Sequence, residues 1–401
     1  METPVTTPSR RAIEAPNTLT HQIIRSIEDI ERFREVWQTM QWHPNADIDF
    51  YLTIIGSRPQ VLRPHIVVIE KEGAPTAMII GRLEETRFKF KVGYRSLWST
   101  TRKSITVVYG GLLGDQSEMT VKYAVEVLLE SLRNGEAEVL TLSNLRLDSE
   151  FYRVAKTRPS YLCRDFVSTP KDHFNLNLGD SYEDVFQRMS SKHRSELRRL
   201  PRVLEKHYPE TVKICCYKSP EDVSQLCKDA DAVMKNTYQR GLGAGFVANE
   251  ENIRRMRLSA DRHWLVAYFL YVGSTPCAFW IGALYGETLF LEFTGYDPAF
   301  KKYQPGTILL KHMITDMESN YCHIKRIDYG FGDALYKQRF ANEGWYESTV
   351  QISAPTLKGI AMNASRNINA KLNKSAAGFL ERLGLIQRFK TIWRKRLASK
   401  N

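Results

Sequence analysis

A tight turn followed by an apolar strand occurs twice in this sequence, at an interval of 201 residues. A Gly and a Pro mark each turn, around Pro75 and Pro276, and the apolar run then reaches Gly81 and Gly282. Both pairs give the same offset, since 276 − 75 and 282 − 81 both equal 201. A repeat as long as a domain requires each copy to form one structural unit. We therefore expect two similar α/β domains and not a solenoid.

The elements around the two turns also occur in the same order. A strand and then a helix start with acidic residues precede each turn. The strand at His21 is therefore expected to be equivalent to the strand at His173. After each turn come a strand, an amphipathic helix, another strand and a short Asp-to-Tyr segment, Asp148–Tyr152 and then Asp333–Tyr336. The pattern predicts an α/β (α+β) fold in which each domain is a mostly antiparallel mixed sheet flanked by helices.

Length and composition fit a two-domain globular protein. The chain has 401 residues, 43% of them hydrophobic, and a formal net charge of +12. This charge favours nucleic acid, anionic lipid or phosphorylated small molecules as partners, and its wide spread does not choose among them. The six cysteines form no CxxC pair and no zinc spacing with histidine. We therefore expect reduced thiols, no metal and a cytoplasmic location.

Neither a secretory signal nor a membrane span is expected. The N-terminus has no apolar core, and the longest apolar stretches, such as the one from Trp264, are too short to cross a bilayer. Composition predicts a disordered tail (1–18), a first domain (19–168), a second domain (169–356) and a basic helical tail (357–401). A helix that starts at Asp180 or Ser181 is expected to run to Pro201, which ends or kinks it.

A candidate anion site lies where the second domain passes from a strand to a helix. A loop with Lys301 and Lys302 precedes Pro305-Gly306-Thr307, which opens the helix and presents free N–H groups to an anion. An ordinary turn and helix start explains these residues equally simply, and a single Pro-Gly favours that explanation. The equivalent first-domain loop carries Asp115 and no lysine, so we expect one copy to be functional and the other structural.

Candidate catalytic residues follow the next strand. Asp328 lies near its end, a turn with two glycines follows, and Tyr336 and Lys337 come next. A carboxylate, a phenol and an ammonium at one strand edge suit a base, a proton donor and an anion clamp. In the alternative, which residue types alone slightly favour, Asp328 caps the turn, Tyr336 packs on the sheet and Lys337 is solvated.

Two segments, YDPAFKKYQPGTILL and RIDYGFGDALYKQRF, resemble the GNAT-type acyltransferases. More narrowly, they resemble the subgroup of cellulose- and exopolysaccharide-biosynthesis acetyltransferase-like proteins, in which a YDP…PG segment precedes D-x-G-x-G…YK. The resemblance covers about residues 170–350, and the first half only by the order of elements. It implies two tandem GNAT-like domains, of which the second is catalytic and the first degenerate.

The resemblance implies a donor site and a mechanism. Acyl-CoA, in the form of acetyl-CoA, would bind at a splayed strand with its pyrophosphate on the next helix start, through Tyr296, Lys301, Lys302, Gln304, Gly306 and Thr307. An amine or hydroxyl would attack the thioester, with Asp328 as a base or acceptor-orienting group, Tyr336 as proton donor and Lys337 as anion clamp. The loop at Gln304–Thr307 is shorter than is usual in the family, which leaves an aminoacyl-tRNA donor open.

Three arginines are candidates for substrate binding. Arg194 and Arg198 lie at i and i+4 on one helix face and could hold a phosphorylated acceptor or RNA, although a solvated face paired with glutamates is the more ordinary explanation. Arg240 lies at a helix end beside glycines, where a substrate loop and simple helix capping are equally plausible.

The C-terminal segment is basic and amphipathic. Apolar residues recur at three- and four-residue steps from Phe379 to Trp393, and basic residues crowd the end. This pattern fits an anionic membrane surface, which would suit a lipid-linked sugar acceptor, and equally fits docking on the protein or a partner.

The leading hypothesis is a cytoplasmic acyltransferase that acts on a sugar or cell-envelope precursor. The alternatives are an aminoacyl-tRNA-dependent transferase, which would bind RNA, and a non-catalytic scaffold in polysaccharide synthesis. A DNA-binding regulator is least favoured, because the basic residues do not gather on one recognition helix. The oligomeric state is not predicted.

Overall fold

A computed structural model describes residues 19–92, 95–179, 182–235, 237, 240 and 245–382. Side chains are described within these ranges except at 92, 95–97, 182 and 376–382. The predicted disordered tail, the predicted helix starts Asp180 and Ser181, and most of the apolar repeat that ends at Trp393 lie outside the described residues.

Twelve strands form one mixed sheet. Their order is β1-β2-β3-β4-β5-β12-β6-β11-β10-β9-β8-β7. The strands are β1 Leu19–Ile24, β2 Val61–Lys71, β3 Ala74–Val92, β4 Arg95–Gly114, β5 Val139–Arg146, β6 Lys171–Asn177, β7 Val212–Tyr217, β8 Leu265–Val272, β9 Thr275–Tyr285, β10 Thr288–Tyr296, β11 Arg326–Phe331 and β12 Glu343–Ser353.

Helices cover both faces of this sheet. Those in the described residues are α1 Arg34–Met40, α2 Ile48–Ser57, α3 Glu118–Arg133, α4 Glu150–Thr157, α5 Tyr182–Gln187, α6 Ser191–His207, α7 Val223–Lys235, α8 Glu250–Asp261, α9 Pro305–Asn320, α10 Leu335–Phe340 and α11 Leu357–Arg382. In the first half, α3 and α4 pack on one face and α1 and α2 on the other. In the second half, α6 and α9 pack on one face and α7 and α8 on the other.

The internal repeat is confirmed by the sheet. The β2–β3 and β8–β9 hairpins turn at Gly73 and Gly273, whose φ angles of +79° and +59° lie in the left-handed region that favours glycine. In each half one parallel contact follows the hairpin, β4 with β5 and β10 with β11. The fold is therefore the expected pair of similar α/β halves, and the exact boundaries at 168 and 356 stay predictions.

The two halves exchange their last strands. β6 follows the first-half elements β5 and α4, yet it pairs with β11 of the second half. β12 follows β11 and α10, yet it pairs with β5 of the first half and with β6. The exchange makes the sheet continuous, and it places β6 and β12 at its centre.

The predicted alignment of the strand at His21 with the strand at His173 is wrong. β1, which contains His21, is an edge strand, whereas β6, which contains His173, lies in the middle of the sheet. The position equivalent to β1 belongs to β7 at the opposite edge. Apolar alternation shows that a segment is a strand, but it does not show which strand lies beside it.

The predicted helix ending at Pro201 is also wrong. α5 ends at Gln187, and a new helix begins at Ser191, where the Ser190 hydroxyl accepts a hydrogen bond from the backbone N–H of His193. Pro201 lies inside this helix, which continues to His207. The serine cap outweighs the weak tendency of the sequence to continue the first helix, and packing of Leu197, Leu200 and Leu204 against the core supports a helix with an internal proline.

Among the described residues, no helix combines the length and the apolar character that crossing a membrane requires.

Candidate functional site

Strands β10 and β11 separate after a short parallel contact. They pair only from Thr288–Arg326 to Phe290–Asp328. β10 then continues beside β9 to Tyr296, with a bulge after Leu291, and β11 continues beside β6 to Phe331. The divergence opens the sheet between the ends of the two strands.

A cavity of about 980 Å³ lies at this opening. The end of β10, the start of α9 and the start of α10 form its walls. The six residues predicted to bind the donor all line this cavity: Tyr296, Lys301, Lys302, Gln304, Gly306 and Thr307. Tyr336 lines it as well. We call it the donor cavity. The structure thus brings together residues that span 40 positions in the sequence, since 336 − 296 = 40.

Trp280 organises the inner wall of the donor cavity. Its Nε1 donates to the carbonyl oxygen of Gly306 at 3.0 Å, which fixes the first turn of α9. The Tyr336 ring packs edge-on against the indole, with centroids 5.0 Å apart. Burial raises the pKa of the Tyr336 phenol, so this hydroxyl stays protonated and can donate a hydrogen bond or a proton.

The helix starts of the two halves differ in what occupies them. At α3, the Asp115 carboxylate accepts hydrogen bonds from the Ser117 backbone N–H at 2.9 Å and from the Thr120 hydroxyl at 2.6 Å. At α9, the cap residue Gln304 has a left-handed backbone with φ +51° and makes no side-chain cap hydrogen bond. In the first half a carboxylate of the protein lies beside the helix start and binds its cap residue Ser117, whereas the second-half helix start faces a cavity.

Lys337 lies beside the donor cavity and is not part of its lining. Its Nζ is buried and donates to the carbonyl oxygens of Phe331 at 2.7 Å and Gly330 at 3.2 Å. Burial lowers the pKa of this amine to about 8, and the Asp328 charge opposes the shift. In this structure the side chain ties the turn after β11 to α10, the helix that carries Tyr336.

Asp328 faces the opposite side of the sheet. Ile327 and Tyr329 belong to the core on the α9 side, so the side chain between them points to the other face. There Oδ1 accepts from the Gly330 backbone N–H at 2.6 Å and lies 2.8 Å from Nε2 of His173. Asp328 therefore caps the turn, as one of the two predicted interpretations required, and also joins a buried cluster.

The buried cluster centres on His173. Nδ1 of this imidazole lies 3.2 Å from Oε1 of Glu347. The same oxygen accepts from the Tyr109 hydroxyl at 2.9 Å and from Nε1 of Trp345 at 2.7 Å. Burial alone lowers the pKa of His173, but hydrogen bonds to the Asp328 and Glu347 carboxylates outweigh burial and raise the pKa to about 9. The imidazole is therefore charged at neutral pH, with both ring nitrogens as donors.

Two polar atoms beside His173 have no partner. Glu347 and Asn175 are each 1% exposed, and Oε2 of Glu347 and Oδ1 of Asn175 accept no hydrogen bond within the described residues. A buried acceptor without a donor costs on the order of 1–3 kcal/mol. Both residues line a second cavity of about 320 Å³, which we call the junction cavity.

Part of the sequence is similar to a known protein family. Residues 191–338 match the model of the acetyltransferase (GNAT) domain family. This part of the chain is similar to GNAT acetyltransferase domains. The match begins with α6 and includes α9, Tyr336 and Lys337, so the donor cavity lies within it. No curated protein matches the sequence.

Three solved structures of low identity are similar to this chain. FemX is 7% identical, with a TM-score of 0.51, over 80% of this chain and 95% of FemX. A tandem GNAT protein from the clavulanic acid biosynthesis pathway is 8% identical, with a TM-score of 0.46, over 84% and 99% of the two chains. L-PGS from Bacillus licheniformis is 12% identical, with a TM-score of 0.46, over 85% and 96%. The FemX likeness shows the fold alone.

The three predicted substrate-binding arginines lie away from the donor cavity. Arg194 donates to the carbonyl oxygens of Gln187 and Met189, at 2.9 and 2.7 Å, and so closes the end of α5. Arg194 and Arg198 line a separate cavity together with Lys311. Arg240 pairs with Asp231 at 2.9 Å and donates to the Phe246 carbonyl oxygen. Their predicted role in substrate binding stays a prediction.

The buried cluster around His173 was not predicted. Its signal in the sequence is the position of His173 with Asn175, and of Trp345 with Glu347, two residues apart on their strands. Such a spacing places both side chains of each pair on one face. Within the described residues, no group of three or more His, Cys, Asp and Glu side chains is arranged to hold a metal ion.

Proposed function

We propose that this chain is an acyltransferase that moves an acetyl group from acetyl-CoA to an amine or hydroxyl of a sugar or another cell-envelope or exopolysaccharide precursor. One observation carries the proposal. A single cavity at the divergence of β10 and β11 gathers a helix start without a side-chain cap, two lysines and a half-buried phenol.

The donor cavity suits a thioester with a pyrophosphate. At the start of α9, Pro305 has no N–H and the Thr307 N–H donates to the Gln304 carbonyl oxygen at 3.0 Å, so the backbone N–H offered to a diphosphate is that of Gly306. The ammonium groups of Lys301 and Lys302 add positive charge beside it. Gly306 leaves that approach open, because a Cβ there would meet no atom within 4 Å. The acyl chain would then extend along the end of β10 toward Tyr336.

The reaction follows from this placement. The acceptor nitrogen or oxygen attacks the thioester carbonyl carbon, a C–N or C–O bond forms, and the C–S bond breaks. The acceptor loses one proton to solvent water, and the departing CoA thiolate gains one. We assign that second proton to the Tyr336 hydroxyl in the cavity wall, and the phenolate then recovers a proton from water. Asp328 orients the acceptor side through His173, and Lys337 holds the turn that positions Tyr336.

Calorimetric titration with acetyl-CoA and with free CoA tests the donor site. We expect Lys301→Ala/Lys302→Ala to bind both ligands at least about tenfold more weakly, which corresponds to about 1.4 kcal/mol. The matched control is Lys311→Ala/Lys325→Ala, which removes the same charge outside the cavity lining. If both double variants bind the ligands equally weakly, the loss of affinity comes from the change in net charge and not from the two cavity lysines. Absence of binding by the unmodified protein would reject the proposal in favour of an aminoacyl-tRNA donor or a scaffold, to be separated by tRNA titration.

We also propose that residues 357–401 attach the enzyme to an anionic membrane surface, where a lipid-linked acceptor is available. α11 carries the exposed side chains Ile368 and Leu372 close to Lys371 and Lys374, a composition that suits a lipid interface. Cosedimentation with phosphatidylglycerol vesicles at moderate salt is expected, and removal of residues 383–401 should reduce it. Equal recovery with and without that segment would contradict the attachment.

A further inference from the structure

The junction cavity is built by both halves of the chain. The first half contributes the segments 107–112 of β4 and 143–146 of β5, which diverge just as β10 and β11 do. The second half contributes Phe290 and Asp328. The exchanged strands β6 and β12 complete the wall with Asn175, Trp345 and Glu347. The cavity therefore exists only in the assembled two-half protein.

The donor cavity and the junction cavity lie on opposite faces of the sheet. Trp280 lines the donor cavity and belongs to the core on the α9 side. Asp328 lines the junction cavity and points away from that core. Asp328 and Phe290 are also the last pair of residues that join β10 to β11. Just beyond this pair the strands separate: the junction cavity is lined by β10 as far as Phe290, and the donor cavity is lined by β10 from Thr294 onward.

The polar groups of the junction cavity require hydrogen-bond donors. Three donors converge on Oε1 of Glu347, from Tyr109, Trp345 and His173, while Oε2 has none within the described residues. Oδ1 of Asn175 is likewise without a donor. Buried carboxylate and amide oxygens are normally paired, and an exception in a cavity wall calls for a ligand or an ordered water.

We propose that the acceptor, an amino sugar or another polyhydroxylated molecule, binds in the junction cavity and donates N–H or O–H hydrogen bonds to Glu347 and Asn175. Its nucleophile meets the acyl group at the opening between β10 and β11. This inference rests on the proposed function and adds the acceptor site to it. Trp42, half exposed at the rim, supplies an apolar face for the sugar ring.

His173 is a positioning residue in this arrangement. It holds Glu347 and Asp328 in place from the middle of the sheet, with one ring nitrogen toward each carboxylate. Loss of its proton removes one of these donors, so the position of Glu347 changes with the charge of the imidazole. The pH dependence of acceptor affinity therefore reports on the charge of His173. Donor affinity, measured separately, reports on the donor cavity.

Saturation-transfer NMR with glucosamine and with glucose tests the acceptor site. The key variant is Glu347→Gln, which keeps the shape and removes the carboxylate. Its matched control is Glu343→Gln, an exposed position four residues earlier on β12. Trp42→Ala is a second variant at the rim, away from the buried cluster. Circular dichroism checks the fold of each, and acetyl-CoA titration of the same samples reports on the donor site separately.

We expect glucosamine affinity to fall about tenfold or more in Glu347→Gln and in Trp42→Ala, as loss of a charged hydrogen bond or a stacking face implies. Glu343→Gln should bind like the unmodified protein, and acetyl-CoA affinity should stay the same in all three. Binding of glucose with equal affinity would assign the contact to hydroxyl groups instead of the amine. Unchanged sugar affinity in both folded variants, or no sugar binding by the unmodified protein, would overturn the acceptor site. Sugar binding without acetyl-CoA binding would reject the donor proposal and leave the sugar site intact.

Discussion

Nε2 of His173 lies 2.8 Å from Oδ1 of Asp328, and this contact joins a central strand to the strand that borders the donor cavity. On its other side the same imidazole faces Glu347 of β12 at 3.2 Å. Two carboxylates thus enclose one buried histidine, and together they keep it charged at neutral pH. The charge state of this residue links fold stability to pH.

The contribution of His173 to the stability of the protein should fall as pH rises from about 7 to about 9. The folded-state pKa of His173 is raised to about 9, above its ordinary value of 6.5. A raised pKa contributes stability that is fully present below 6.5 and is lost as pH passes through 9. Thermal unfolding at intervals across this window should show the loss, and Asp328→Asn should reduce it. A pH profile of the same shape in the variant would contradict this origin.

Lys337→Met should destabilise the protein by about 1–3 kcal/mol, because the carbonyl oxygens of Gly330 and Phe331 lose their buried donor. It should also remove a pH dependence. The folded-state pKa of Lys337 is lowered to about 8 from 10.5, so the unfolded chain binds more protons in that range and stability rises with pH between the two values. Denaturant unfolding at pH 8 and pH 10.5 measures this. The control is Lys358→Met, at an exposed position. If stability still rises with pH in Lys337→Met, Lys337 is not the cause of the rise.

Tyr336→Phe should lower kcat about a hundredfold or more while the KM for acetyl-CoA changes little. The ring contact with Trp280 is kept, and only the proton donor is lost. Steady-state release of CoA thiol measures both constants. Tyr346→Phe, at an exposed tyrosine, is the matched control. Equal kcat in the two variants would place the proton donor elsewhere.

Asp115→Ala should lower the free energy of unfolding by about 1 kcal/mol, because the start of α3 loses its acceptor. Glu130→Ala, an exposed change later in the same helix, should have an effect within about 0.5 kcal/mol. Hydrogen bonds from Thr120 and Ser117 lower the pKa of Asp115, so its contribution is present near neutral pH and is lost as pH falls through the acid range. Equal stability of both variants at pH 7 would argue against capping.

Residues 19–168 expressed alone should fail to form a stable monomer. Without β12, β5 is an unpaired edge, and β6 is missing from the fragment. Analytical ultracentrifugation and circular dichroism are expected to show association or loss of structure. Addition of residues 169–382 from a second chain should restore a soluble complex. A folded monomer of 19–168 would show that the exchanged strands are dispensable.

Local chemistry explains what could be predicted from the sequence. The hairpin turns at Gly73 and Gly273 and the end of α3 near Gly135 depend on a few adjacent residues, and they lie where the patterns placed them. The donor residues were predicted as a set because they lie on one strand end, one loop and one helix start. The family resemblance in the second half supplied their chemistry, and the structure supplied their shared cavity.

Long-range pairing explains what could not be predicted. His173, Asn175 and Glu347 come from β6 and β12, which meet only because the halves exchange strands. Nothing in the apolar alternation of either strand specifies its neighbour. The polar residues at alternate positions were visible in the sequence, but without the pairing they had no common location.

The strand exchange also imposes an order on synthesis of the chain. β5 ends at Arg146 and its neighbour β12 begins at Glu343, so 343 − 146 = 197 positions separate the two partners. At about 5–20 residues per second, the ribosome needs roughly 10–40 s to deliver the missing strand. Throughout that interval the nascent first half carries an open backbone edge. We therefore expect folding to include a step that protects this edge. A chaperone could cover it, or β6 could pair with it temporarily.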